Sequence, residues 1–212
     1  ADLDAAQWAE VIDIVGGRGL VPFIDIAYQG FADGISEDAL AVRLFSASGQ
    51  SCLVASSFSK SFSLYGERVG ALSVVTASRD ESARVLSQIK RLVRTNYSNP
   101  PTHGGAVVAA VLASPELRQT WEEELLQMRQ RIRSMRVSLL DRLQAKAVGV
   151  DFSFVTRQRG MFSYTGLNVA QVDRLRDEFG IYAVSSGRIC LAALNTHNVD
   201  YVAEAIAAVA VV

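Results

Sequence analysis

Cysteine is scarce: Cys52 and Cys190 are the only two in 212 residues. Two are too few for a disulfide framework, and they lack metal-ligand spacing. A chain that needs no disulfides is at home in a reducing cytoplasm. Charge of one sign is missing as well. The 21 lysines and arginines stand against 22 aspartates and glutamates, a formal net charge of −1, so nothing points to nucleic acid or an anionic membrane as partner. No unbroken apolar run approaches the ~20 residues that a membrane-spanning helix needs. The start, Ala1-Asp2-Leu3-Asp4, has no basic stretch followed by an apolar one and does not read as a secretory leader. It opens without Met and enters helix-like sequence almost at once, as a fragment or a processed chain does. Histidine is limited to His103 and His197; with no third ligand at useful spacing, both read as hydrogen-bonding residues, not metal ligands. No repeat or low-complexity segment is present. What remains is ordinary globular composition, half hydrophobic and a fifth charged, enough for one large domain or two small ones.

The first part of the chain alternates helix and strand. Asp4 is placed to cap a helix whose Trp8, Val11, Ile12 and Val15 recur on one face, and Gly16, Gly17 and Gly19 end it. Val21–Ile26, Leu53–Phe58 and Ala71–Thr76 read as buried strands, apolar without alternation as parallel strands are, with a helix opened by Ser36-Glu37-Asp38 between the first two. That rhythm predicts a parallel α/β sheet with crossover connections. Further on, helices are expected over 82–93 and 104–112, separated by the rigid loop Asn96–Pro101. Ser114-Pro115-Glu116 is a strong helix start, with a hydroxyl cap, Pro at the first helical position and an acid in the first turn. That helix is expected to reach about Lys146. Beyond it come short strands around Phe152–Val155, Met161–Tyr164 and Arg188–Leu191, with helices near Val169–Phe179 and Val199–Val209, an α+β pattern. A domain boundary is therefore expected inside the long helix, giving domains 1–125 and 126–212. Arg129, Arg131, Arg133 and Arg136 on that helix read as a solvated face. Cys190 reads as a small strand residue.

The chemistry gathers after the second strand, in Ser57-Phe58-Ser59-Lys60-Ser61-Phe62. Lys60 stands just beyond the C-terminal end of a strand, where open α/β sheets place ligands. Taken alone, the hexapeptide is also compatible with a solvated loop lysine. Asp25 and Tyr28 fall at the same edge of the expected sheet, and they too have a plain reading, as a helix cap and a half-buried phenol. Yet chemistry with pyridoxal phosphate needs these residue types together: a lysine for a Schiff base, a carboxylate to keep the pyridine nitrogen protonated, and a phosphate anchor.

The segments Asp25-x-Ala27-Tyr28-Gln29-Gly30-Phe31, Ser57-Phe58-Ser59-Lys60 and Glu67-Arg68-Val69-Gly70 resemble, in order and spacing, those of class I pyridoxal-phosphate-dependent aminotransferases of the aspartate and aromatic type. The similarity continues through Arg94-x-Asn96-Tyr97-Ser98-Asn99-Pro100-Pro101, Gly160-Met161-Phe162-Ser163 and Ser186-Gly187-Arg188, and covers essentially all 212 residues. It implies the C-terminal half of a fold-type-I enzyme: part of the parallel-sheet, cofactor-binding large domain over 1–125, then a smaller α+β domain over 126–212. It further implies pyridoxal 5'-phosphate on Lys60, Asp25 at the pyridinium, Tyr28 at the phenolic oxygen, and Ser57 with Arg68 at the phosphate. Arg188 would clamp the substrate α-carboxylate. Arg94 resembles the arginine that reaches a neighbouring subunit's site to bind a side-chain carboxylate, so a homodimer is implied. The expected activity moves amino groups between aspartate or aromatic amino acids and 2-oxoglutarate in the cytoplasm.

The resemblance begins partway through the family pattern. The backbone cradle for phosphate, the aromatic that stacks on the ring, the Asn-Pro-x-Gly loop and the tyrosine lent by the partner subunit have no counterpart in these residues. A catalytically incompetent fragment or a non-catalytic assembly module is the alternative expectation.

Overall fold

A computed structural model describes residues 3–147 and 149–211; Ala1 and Asp2, half of the segment read for a leader, lie outside them. The described chain forms two compact units. One holds residues 3–30 and 34–125, the other 31–33 and 126–211.

In the first unit, α1 (Ala5–Gly17) begins on a reciprocal cap: Asp4 accepts from the Gln7 amide N–H, and the Gln7 side chain accepts from the Asp4 amide N–H, both at 2.9 Å. Its Trp8, Val11 and Val15 pack on a core of Ile12, Phe45, Cys52 and Val54. Strand β1 (Phe23–Ile26) pairs in parallel with β2 (Cys52–Ser57), Asp25 lying opposite Ala55. The crossover between them carries a 3₁₀ turn (Glu37–Ala39) and α2 (Leu40–Ala47). Strand β3 (Gly70–Val75) pairs with β2 on its other side, so β2 is central.

Two expectations for this sheet are corrected. Strand β3 runs antiparallel to β2, with Ser57 opposite Gly70: the connection 58–69 contains turns but no crossover helix to bring the chain back in the same direction. The outer strands are also not buried. Phe23 is 67% and Leu72 52% exposed, because they project from the face opposite the one on which Ile24, Ile26 and Val75 pack against the core. Helices α3 (Arg79–Asn96) and α4 (His103–Ala113) follow. Ser78 caps α3 by accepting from the Glu81 amide N–H at 3.2 Å. Gly104 of α4 packs closely, since a Cβ there would come to 3.0 Å from the Glu67 side chain and 3.1 Å from that of Val69.

Helix α5 (Pro115–Lys146) is 32 residues long and starts where Ser114 accepts from the Leu117 amide N–H. Its later turns bury Ile132, Met135, Leu139 and Leu143 in the second unit. There α6 (Phe154–Arg157) is followed by β4 (Phe162–Tyr164), α7 (Val169–Phe179), β5 (Arg188–Cys190) and α8 (Val199–Ala210). β4 and β5 pair antiparallel, Tyr164 opposite Arg188. Ion pairs Arg142–Asp200 (2.5 Å) and Lys146–Glu204 (2.6 Å) tie α5 to α8.

The strand expected at 152–155 is a turn entering α6. Asp151 accepts from both the amide and the hydroxyl of Ser153, a local side-chain turn that competes with extended backbone. It lets Phe152 and Val155 bury together at i,i+3 spacing. The arginines of α5 are likewise not a uniformly solvated face. Arg136 is 4% exposed and donates to the carbonyls of Val155, Gly160 and Phe162 and to the Ser163 hydroxyl. It sits four residues past Ile132 and three before Leu139, on the buried side of the helix. Arg131 donates to the Ala192 and Leu194 carbonyls, and Arg133 pairs with Asp33 at 2.6 Å.

Candidate active site

Lys60 follows β2 in a tight turn. The Ser57 hydroxyl accepts from the Ser59 amide at 3.2 Å, the Phe58 carbonyl from the Phe62 amide at 3.2 Å, and the Lys60 carbonyl from the Ser63 amide at 3.1 Å. Ser59 and Ser61 face inward and are buried, which leaves the intervening Lys60 half-buried. Its Nζ lies over the Tyr28 ring, 4.6 Å from the centroid, a favourable distance for a cation on an aromatic face. Tyr28 stands two residues beyond β1 and is 40% exposed.

The parallel pairing of β1 with β2 puts Asp25 and Ser57 on adjacent strands, Asp25 exposed and Ser57 partly buried. Arg68 belongs to the same connection as Lys60. It is exposed, and its Nη1 donates to the Tyr65 carbonyl at 3.0 Å. Its φ of +54° is a left-handed conformation costing a non-glycine residue about 1–2 kcal/mol. Such strain persists where surrounding structure enforces it, often at functional sites.

Arg94 is in the last turn of α3, exposed, and donates to the Ser98 hydroxyl at 2.7 Å. Arg188 opens β5 in the other unit, with its guanidinium 4.8 Å from the Phe162 ring centroid. It lines a cavity of about 350 Å³ with Phe162, Tyr182 and Cys190. Gly187 before it has φ +81°, and a Cβ there would sit 2.5 Å from the Leu167 carbonyl oxygen. The strand start carrying Arg188 therefore needs glycine at that position. Among the described residues, none of Asp25, Lys60, Arg68, Arg94 and Arg188 forms an ion pair, and no cluster of three or more His, Cys, Asp or Glu could hold a metal. No helix of the described residues is long and apolar enough to cross a membrane.

The structure thus brings Lys60 and Tyr28 into contact and sets Asp25, Ser57 and Arg68 on the same sheet or its connection. Arg94 and Arg188 lie on separate elements. One participant escaped the sequence reading. Trp121 of α5 donates its Nε1–H to the Ser61 carbonyl at 2.6 Å and stacks on Phe62. The available signal was a tryptophan set directly before three glutamates, Trp121-Glu122-Glu123-Glu124, near the start of the helix.

The family model for aminotransferase class I and II matches residues 1–206. The chain belongs to that family. An aspartate aminotransferase of Pseudomonas aeruginosa is 65% identical over 205 residues, 97% of this chain and 52% of that protein. The aromatic-amino-acid aminotransferase of Escherichia coli is 54% identical over 209 residues, 99% of this chain and 53% of that protein. Among solved structures, the aromatic-amino-acid aminotransferase of Burkholderia pseudomallei, covalently bound to pyridoxal phosphate, superposes with a TM-score of 0.96 at 69% identity, covering 99% of this chain and 52% of that one. The resemblance drawn from the Lys60, Arg68 and Arg188 segments therefore holds for the family, and the mixed α/β architecture is that of solved aminotransferases. The chain spans about half the length of the relatives it matches.

Proposed function

We propose that this chain is the lysine-bearing half of a pyridoxal-phosphate-dependent aminotransferase that moves amino groups between aspartate or aromatic amino acids and 2-oxoglutarate. The carrying observation is Lys60, half-buried at the end of β2 with its amine over the Tyr28 ring. Residues 1–125 are read as the C-terminal part of the cofactor-binding large domain and 126–212 as the small domain of a cytoplasmic homodimer. The donor set suits the cofactor. A lysine, a carboxylate (Asp25), a phenol (Tyr28), a hydroxyl (Ser57) and a guanidinium (Arg68) lie on β1, the turn after it, β2 and the β2–β3 connection, and none of the charged groups is committed to an ion pair. When bound, pyridoxal phosphate supplies an electron-withdrawing ring that acidifies the substrate's α-proton and carries the amino group between substrates.

Lys60 would hold the cofactor, Asp25 its ring nitrogen, Tyr28 its phenolic oxygen, and Ser57 with Arg68 its phosphate. Once substrate displaces it, the Lys60 amine moves the proton at the substrate α-carbon, a task that needs it neutral. Arg188 binds the α-carboxylate with its planar fork. Arg94 binds the second carboxylate of acidic substrates, acting across the dimer. Lys60→Ala in the full-length protein should abolish the half-reaction and leave folding nearly intact; normal turnover in that variant would remove the central assignment. Arg188→Leu should impair every amino acid, whereas Arg94→Leu should penalise aspartate over phenylalanine, by about 2–5 kcal/mol for a lost buried charged hydrogen bond. Equal losses for both substrates would overturn the role of Arg94.

A second reading applies to residues 1–212 taken alone: an incompetent fragment or an assembly module. It is favoured by the span of about half a relative and by the exposed apolar side chains of β1 and β3. Visible absorbance retained after free cofactor is removed separates a cofactor binder from an assembly module, which keeps none.

A further inference from the structure

One turn of α5 supports both members of the Lys60–Tyr28 pair. Trp121 and Leu125 are four residues apart and so project from the same face of the helix. Trp121 reaches the lysine side. Its indole N–H meets the Ser61 carbonyl at 2.6 Å, and its ring stacks on Phe62 with centroids 4.5 Å apart and planes 19° from parallel. Phe62 in turn meets Phe58 edge-on at 5.5 Å. Lys60 lies between Phe58 and Phe62 in the chain, so the backbone is gripped on both sides of it.

Leu125 reaches the tyrosine side. It is fully buried and lies against Gly30, where any Cβ would collide with its side chain. Gly30 has φ +93°, and its N–H is held by the Asp38 carboxylate at 2.8 Å, which fixes the turn two residues after Tyr28. Apolar packing alone would not direct an indole N–H at a loop carbonyl. Ser61 is buried, so its carbonyl would lack a protein donor without Trp121, a costly state for a buried acceptor.

We propose that Trp121 and Leu125 are positioning residues, setting the Lys60 amine against Tyr28 by holding the two backbone segments that carry them. The inference rests on reading Lys60 as the cofactor lysine. It predicts that a change on α5, touching neither cofactor nor substrate, alters the chemistry of the amine.

The test uses the full-length protein and three variants. Trp121→Phe keeps a ring for Phe62 and removes the N–H; Trp121→Leu removes both; Leu125→Ala loosens the Gly30 side. Three quantities are read: kcat and KM separately, the pH midpoint of the cofactor's visible absorbance, and the acetylation of Lys60 relative to exposed Lys90 in cofactor-free protein, by peptide mass mapping. Trp121→Phe should lower kcat about tenfold while KM changes less than about twofold, as misplacement of a reacting group does. It should also move the pH midpoint and the Lys60/Lys90 ratio. Trp121→Leu should exceed it, and Leu125→Ala should change the same readouts. Wild-type values of all three in Trp121→Phe and Leu125→Ala, whatever their thermal stability, would overturn the proposal, since that is what plain packing yields. Failure of the wild-type protein to acquire a visible band or a Lys60 adduct would instead sink the aminotransferase reading. The acetylation ratio needs no cofactor and still decides whether α5 positions the amine.

Discussion

The two compact units place their apolar residues differently. The C-terminal one closes over its own core: Leu139, Leu143, Leu175, Leu191, Val199 and Ile206 are all fully buried, drawn from three helices and a 3₁₀ turn. The sheet-bearing one buries Phe45, Cys52 and Val54 against α1, yet Val21, Phe23, Leu72, Leu86 and Leu92 are half exposed or more. Helix α3 has no buried residue at all. An apolar pattern establishes which face of an element is oily. It does not establish that the same 212 residues cover that face.

The C-terminal unit depends on Arg136 for the donors to three backbone carbonyls. Replacing it by Met should destabilise the protein by about 3 kcal/mol or more, because each buried acceptor left without a donor costs about 1–3 kcal/mol. Urea unfolding gives the magnitude, and hydrogen exchange should localise the loss to 155–164. A cost below 1 kcal/mol would mean that this unit tolerates orphaned polar groups and is less tightly closed than its burial implies.

Changes on the open faces of the other unit should behave in the opposite way. Phe23→Ser and Leu72→Ser remove apolar atoms that the chain leaves in contact with water, so stability should move by no more than about 0.5 kcal/mol. Self-association of residues 1–212, followed by light scattering, should fall, since exposed apolar strand edges invite pairing. A large loss of stability without any change in association would break the contrast.

The smallest expected effect is the acid sensitivity of the C-terminal unit. There the Arg142 side chain holds the Asp200 carboxyl below its usual range, and the Ser153 amide does the same for Asp151. Arg176 lowers Asp177, and Arg174 lowers Glu178. A carboxyl whose folded-state affinity for protons is reduced adds stability above its unfolded pKa and loses it as pH falls through the folded value. The thermal midpoint should therefore slip as pH drops below about 4. These groups are solvent-exposed, so the slope is shallow and weaker still at high salt. Asp200→Asn should flatten it further, and an unchanged slope would remove the Arg142–Asp200 pair from the account.

Elements with chemical punctuation were legible in the sequence. Helix α5 begins at the Pro115 that follows Ser114, and α7 spans the expected 169–179, with Asn168 capping it and Gly180 ending it in left-handed backbone. Strand direction was not legible, because hydrophobicity has no sign along the chain; only the lack of a crossover helix in 58–69 decides β3. Arg136 misled through its residue type, although its phase with Ile132 and Leu139 was available. The order and spacing of Asp25, Lys60, Arg68 and Arg188 identified the family. The meeting of Lys60 with Tyr28, and the turn of α5 behind both, are tertiary facts that no local pattern encodes.

The reversal at β3 also bears on the order in which the protein assembles. Ser57 and Gly70 are partners only 13 residues apart, whereas every β1–β2 pair spans 30. Local closures precede distant ones during folding, since less chain entropy is lost before contacts form. The hairpin that carries Lys60 and Arg68 is thus expected to form early in folding, an order that pulse-labelled hydrogen exchange would check. Tyr28 joins it only when the crossover closes and β1 docks on β2, so the lysine acquires its aromatic neighbour at the step that completes the three-stranded sheet.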